Sequence, residues 1–249
     1  MKNLKDEIHH NFKKFESTWQ VELQSVSKSL GKAEDTYLRS YMQLVSLNAW
    51  RRELLTNTIS AESVSFFLEA QNDALVSHVF ARMGAWRSAL KSLRSCLENV
   101  AFTLYFKDHP VEFVLWQNGK YKPNFSSIVE YLERHPSLDG VNPSVCGLDI
   151  FQKEYGTLSR AVHGSASFQM TAEKGSTSLW TDNIRSLSQW RTRERVVLQS
   201  INLLLMAMFR EQLQGAQHPQ LRNAISLAIS PSKHGGVKSI LGINLSLSG

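Results

Sequence analysis

Sulfur is scarce in this chain: only Cys96 and Cys146 are cysteines among its 249 residues. Two thiols cannot staple a polypeptide of this length, and neither sits at a metal-ligand or redox spacing, so a reduced compartment is expected rather than secretion. The first residues, MKNLKDEIHHNF, are too polar for a secretory signal. Long apolar runs are missing as well. The longest, near 196–209, is broken by Gln199, Ser200 and Asn202 and is too short and too polar to span a bilayer. A cytoplasmic protein without a membrane partner is the expectation. Absent too are a Gly-rich phosphate loop, a G-x-S-x-G elbow, an H-E-x-x-H pair, any internal repeat and a heptad run long enough for a stable coiled coil. No cofactor and no metal is therefore expected.

What is present is the material of a folded core. Hydrophobic residues make up 42% and charged residues 20% of the chain, with six Trp and twelve Phe, a profile outside the disordered class. Lys and Arg number 28 against 22 Asp and Glu, a formal charge of +6. That balance permits a polyanionic partner such as RNA without requiring one.

Helical periodicity dominates and strand-like alternation is nearly absent, which predicts an all-α chain. Helices are expected over 3–30, 34–55, 61–83 and 85–106, punctuated by Gly31, Ser60 and Gly84. A more broken middle holds short helices near 110–116 and 124–134 and a loop at 136–147. A helix over 149–165 follows, then an irregular Ser-, Thr- and Gly-rich stretch, 167–182, that could include a short hairpin. A long helix covers 184–213. The organisation expected is an N-terminal helical segment (1–57), an up-and-down multi-helix bundle (58–214) and an irregular C-terminal tail (215–249). A short helix near 219–229 could lie in the tail, and its last stretch, from 231, reads as a docking arm or a disordered end.

Two helices bear residues with chemical potential. On 85–106, Arg87, Lys91, Arg94 and Glu98 stack beside an apolar stripe. They form either a solvated face stitched by the Arg94–Glu98 pair or the rim of a polar cleft. On 149–165, Ser159 and His163 align along the flank of the buried stripe, with Arg160 turned further round. A histidine so placed is either a satisfied structural side chain or a general acid or base, because imidazole exchanges protons near neutrality. A third cluster, Arg191, Arg193 and Arg195, opens the last long helix and could grip phosphate or lie solvated. His9, His10, His218 and His234 read as surface.

The segments LRSCLENVAFTLYF (93–106) and YGTLSRAVHGS (155–165) together resemble the two signature helices of the DUF5677-type bacterial branch of the HEPN-like superfamily. The resemblance covers about 60–210. It implies an up-and-down bundle, commonly dimeric, and for many members metal-independent ribonuclease activity in toxin–antitoxin, CRISPR-associated and phage-defence systems. Carried over, His163 would serve as base on a ribose 2′-OH or as acid for the leaving 5′-oxygen. An arginine, Arg94 or Arg160, would stabilise the phosphorane, with Glu98 and Ser159 beside it. The family's motif places four to six residues between Arg and His, whereas only two separate Arg160 from His163. The alternative expectation is a non-catalytic helical interaction subunit of a larger complex. A third is an RNA-binding protein using Arg87, Lys91, Arg191, Arg193 and Arg195 without cleavage.

Overall fold

The computed structural model describes residues 3–163, 172–173, 176–177, 179–215 and 217–245. The chain is an all-α multi-helix bundle. Its N-terminal helices are α1 (Leu4–Gly31) and α2 (Glu34–Trp50), the latter continued by a π turn, Arg51–Leu55. Next come α3 (Ala61–Arg82), α4 (Trp86–Phe106), α5 (Pro110–Gln117) and α6 (Phe125–Glu133). After a 3₁₀ turn and a one-turn helix, α7 (Leu148–Val162) and α8 (Ile184–Met208) lead to α9 (Pro219–Ala228) and α10 (Pro231–Leu241).

The helix boundaries follow local chemistry. Asn3, Ser60, Asn124 and Asn183 cap α1, α3, α6 and α8 by accepting backbone N–H bonds. Gly84, at φ 70°, lets the chain turn between α3 and α4. A Cβ there would lie 2.3 Å from the carbonyl oxygen of Thr181, which also accepts a bond from the indole N–H of Trp86. The 167–182 stretch contains a two-residue antiparallel ladder, Ala172 opposite Thr177 and Glu173 opposite Ser176; half of that stretch lies outside the described residues.

Helix α8 is the axis of the bundle. From Val197 to Met208 only Gln199 is not buried, which the mixed composition of that run conceals. Its polar members are satisfied inside: Asn202 accepts from the Trp50 indole at 2.9 Å and donates to Ser46 at 2.9 Å. Helices α2, α4, α7 and α9 pack around it.

Within the segment 1–57, α2 sends Tyr37, Leu44, Leu47 and Trp50 into the common core. One expectation about organisation changes here. The stretch after 230 forms α10, and Val237, Leu241, Ile243 and Leu245 are buried against this chain's own core. Four well-spaced apolar residues suffice to dock it, although the small polar residues between them mask the pattern.

Candidate functional site

Helices α4 and α7 pack side by side, each presenting two polar residues one turn apart: Arg94 and Glu98 on α4, Tyr155 and Ser159 on α7. The four meet. The Arg94 guanidinium donates from Nε to Ser159 Oγ at 3.1 Å, from one terminal nitrogen to Glu98 Oε2 at 3.0 Å and from the other to the Tyr155 hydroxyl at 2.5 Å. That hydroxyl donates in turn to Glu98 Oε1 at 2.8 Å. The guanidinium carbon also lies 4.8 Å from the Tyr155 ring centroid, a cation–π distance. Burial, and then the neighbouring Glu98 carboxylate, pushes the Tyr155 phenol above its ordinary pKa, so it remains a donor. Phe125, the first residue of α6, stacks on Tyr155 with centroids 3.5 Å apart and fixes the ring.

The cluster is half-buried rather than sealed, the Arg94 and Glu98 side chains being 22% and 24% exposed. Glu98 and Tyr155 form one wall of an open cleft of about 410 Å³, whose other walls include Phe102, Lys122 and Phe125. A rigidly held guanidinium beside an aromatic-walled, lysine-edged cleft has the elements needed to bind a phosphate and an adjacent planar group.

The structure thus brings Arg94, Glu98 and Ser159 together and adds Tyr155, whose ring packs against the core while its hydroxyl joins the cluster. His163 stands one turn beyond Ser159, exposed at the end of α7, with its backbone N–H bonded to the Ser159 carbonyl at 3.0 Å. Residues 164–171 lie outside the described residues. Arg160 is exposed and donates to its neighbour Thr157 Oγ1 at 3.3 Å, apart from the Arg94 cluster.

The basic residues divide. Arg87 donates to the carbonyls of Ala161 and Val162 at 3.3 and 3.0 Å, capping the C-terminus of α7. Arg191 pairs with the fully buried Glu194 at 3.1 Å, and Arg193 pairs with Glu154 at 2.9 Å. Lys91 and Arg195 are exposed.

A second polar cluster escaped the sequence pattern. Ser40 Oγ lies 2.7 Å from Glu194 Oε1 and 2.7 Å from His78 Nδ1. The hydroxyl has one proton, so when Glu194 is ionised Ser40 donates to it and His78 Nδ1–H donates to Ser40. Burial raises the Glu194 pKa from 4.5 to about 7, and burial with the nearby Arg82 and Arg191 lowers that of His78 from 6.5 to about 4. The available signal was a glutamate among the buried positions of a core helix.

Both cysteines are buried, and burial pushes their thiol pKa values up, so neither is primed as a nucleophile. Among the described residues, no group of three His, Cys, Asp or Glu side chains is placed to hold a metal ion, and no helix is long and apolar enough to cross a membrane. No family model, no curated protein and no solved structure matches this chain.

Proposed function

We propose that the chain is a HEPN-like, metal-independent endoribonuclease of a bacterial defence or toxin–antitoxin system, acting where α4 and α7 meet. The observation that carries this reading is the Arg94 guanidinium, half-buried on the helix pair that bears His163 and held from three sides by Ser159, Glu98 and Tyr155, the last two of which also line an accessible cleft. Three of its five N–H groups are engaged, which leaves donors for a phosphate oxygen. In the proposed reaction His163 takes the proton of a ribose 2′-OH. The freed oxygen attacks the adjacent phosphorus, the bond to the 5′-oxygen breaks, and that oxygen takes a proton from solvent water as it leaves. Arg94 stabilises the added charge on the phosphorane oxygens. Glu98, Tyr155 and Ser159 position Arg94.

The experiment is RNA cleavage by the purified chain in excess EDTA. The expected result is cleavage that falls by about a hundredfold or more in His163→Ala, the range for loss of a general acid or base. Equal cleavage by wild type and His163→Ala would remove the catalytic assignment. A second reading, a non-catalytic interaction subunit, draws on the closure of the Arg94–Glu98–Tyr155–Ser159 network upon itself. On that reading Arg94→Ala lowers stability, and wild type cleaves no RNA.

A further inference from the structure

The cleft beside the Arg94 cluster draws its walls from three places. Glu98 and Phe102 come from consecutive turns of α4, and Tyr155 comes from α7. Lys122, Asn124 and Phe125 come from the start of α6 and the loop before it. Its volume, about 410 Å³, is that of a small-molecule site.

Three rings border the cleft, and they are not equally available. Tyr155 is covered by Phe125 at 3.5 Å and also carries the Arg94 guanidinium, 4.8 Å from its centroid. Phe125 is itself buried between Tyr155 and Phe151. Phe102 is only half-buried: it packs on Phe66 and presents the rest of its ring to the cleft. The polar lining suits a base edge and a phosphate. The Glu98 charge is already matched by Arg94, whereas Lys122 is an exposed cation at the rim. Asn124 spends its Oδ1 on the Ser126 N–H as the cap of α6, so its amide N–H groups are what it can turn to a ligand.

The cleft also has a defined place relative to His163. Helices α4 and α7 run antiparallel along their seam. Arg87 reaches the carbonyls of Ala161 and Val162, Arg94 reaches Ser159 and Tyr155, and Glu98 accepts from Tyr155. His163 therefore stands at one end of the seam, Arg94 in the middle and the cleft at the other end. Tyr155 and His163 are eight residue steps apart, about 12 Å of helix. A base does not reach that far from its own 2′-hydroxyl, so a strand attacked at His163 brings a neighbouring base to the cleft.

We infer that the cleft is a base-binding subsite: it takes the unpaired base of a nucleotide flanking the cut, laid on Phe102, with Lys122 on an adjoining phosphate. The position of the cut rests on the nuclease reading above; the subsite itself rests on the cleft. A base enters such a cleft only when it is outside a duplex stack, so the substrate class is single-stranded RNA.

The test is fluorescence anisotropy of the full chain with a 2′-O-methyl oligoribonucleotide, which lacks the attacking hydroxyl and stays intact. Its duplex and an abasic oligomer of equal length, with the same phosphates and no bases, are measured beside it. Phe102→Leu keeps the apolar bulk and removes the ring face; Phe102→Met replaces it should circular dichroism show unfolding. Wild type is expected to bind the single strand about tenfold more tightly than the abasic oligomer, and Phe102→Leu to lose that tenfold while binding the abasic oligomer as wild type does. Lys122→Gln is expected to weaken both and to flatten the salt dependence. No binding by wild type, equal binding of the duplex, a Phe102→Leu that binds like wild type, or one that weakens the abasic oligomer equally would each overturn the subsite. The two readings fail separately. The expected binding pattern with an uncut parent RNA would remove the nuclease and leave the subsite, whereas a Phe102→Leu that binds and cuts like wild type would remove the subsite alone.

Discussion

Glu194→Gln separates the cost of a buried carboxylate from the benefit of its ion pair. Glu194 is inaccessible to solvent, accepts from Ser40 at 2.7 Å and from Arg191 at 3.1 Å, and still has its pKa raised from 4.5 to about 7. Desolvation therefore outweighs what Arg191 and Ser40 return. A carboxyl that holds its proton more tightly when folded stabilises the fold fully below its unfolded pKa. As pH climbs from about 4.5 to about 7, the unfolded chain ionises first and that stability is lost. Between pH 5 and pH 8 the loss amounts to about 2 to 3 kcal/mol at 1.36 kcal/mol per pKa unit. Glutamine keeps the shape and cannot ionise, so the variant escapes the loss. His78 titrates in both proteins, with its pKa lowered, and its acid-side loss cancels in the comparison. Urea unfolding of wild type and Glu194→Gln at pH 5 and pH 8 reads the difference directly. The variant is expected to gain on wild type by about 2 to 3 kcal/mol across that interval. A variant that loses ground as pH rises would show that the ion pair governs instead, and would refute the reasoning.

Three further outcomes follow from the packing. Gly84→Ala forces an L side chain to φ 70° and sets its Cβ 2.3 Å from the Thr181 carbonyl oxygen, so thermal unfolding should show a loss of about 2 to 4 kcal/mol. Arg87→Ala removes both bonds that close the end of α7, costing about 1 kcal/mol, and hydrogen exchange should quicken at residues 159–163 more than elsewhere in α7. Truncation after Ser230 strips Val237, Leu241, Ile243 and Leu245 from the core and should cost on the order of 5 kcal/mol; an unchanged melting temperature would contradict the docking of α10.

The all-α class and the first four long helices were legible in the sequence because 3.6-residue periodicity, Ser60 and the glycines at 31 and 84 mark them locally. The pairing of Arg94 with Glu98 was legible for the same reason, since i, i+4 neighbours meet within one helix. The hydroxyl contacts of Tyr155 were not legible, because a tyrosine can pack its ring on the core while its hydroxyl joins a polar cluster, and only the partner helix decides which. The pairing of Arg193 with Glu154 joins two helices that no spacing relates, and although Arg191 and Glu194 are i, i+3 neighbours, spacing does not show that Glu194 is buried. The C-terminal stretch was misjudged because its few apolar residues gain meaning only against the surface they cover.

The proposed chemistry stands or falls on the ribose 2′-hydroxyl. The decisive measurement takes an RNA that the purified chain cuts in excess EDTA and replaces the ribose at the cut site with 2′-deoxyribose. The account predicts a 2′,3′-cyclic phosphate and a 5′-hydroxyl from the parent RNA, no cut at the substituted position, and no cyclic phosphate from His163→Ala. Cleavage that survives the 2′-deoxy substitution, or an intact parent RNA at every enzyme concentration, would contradict it.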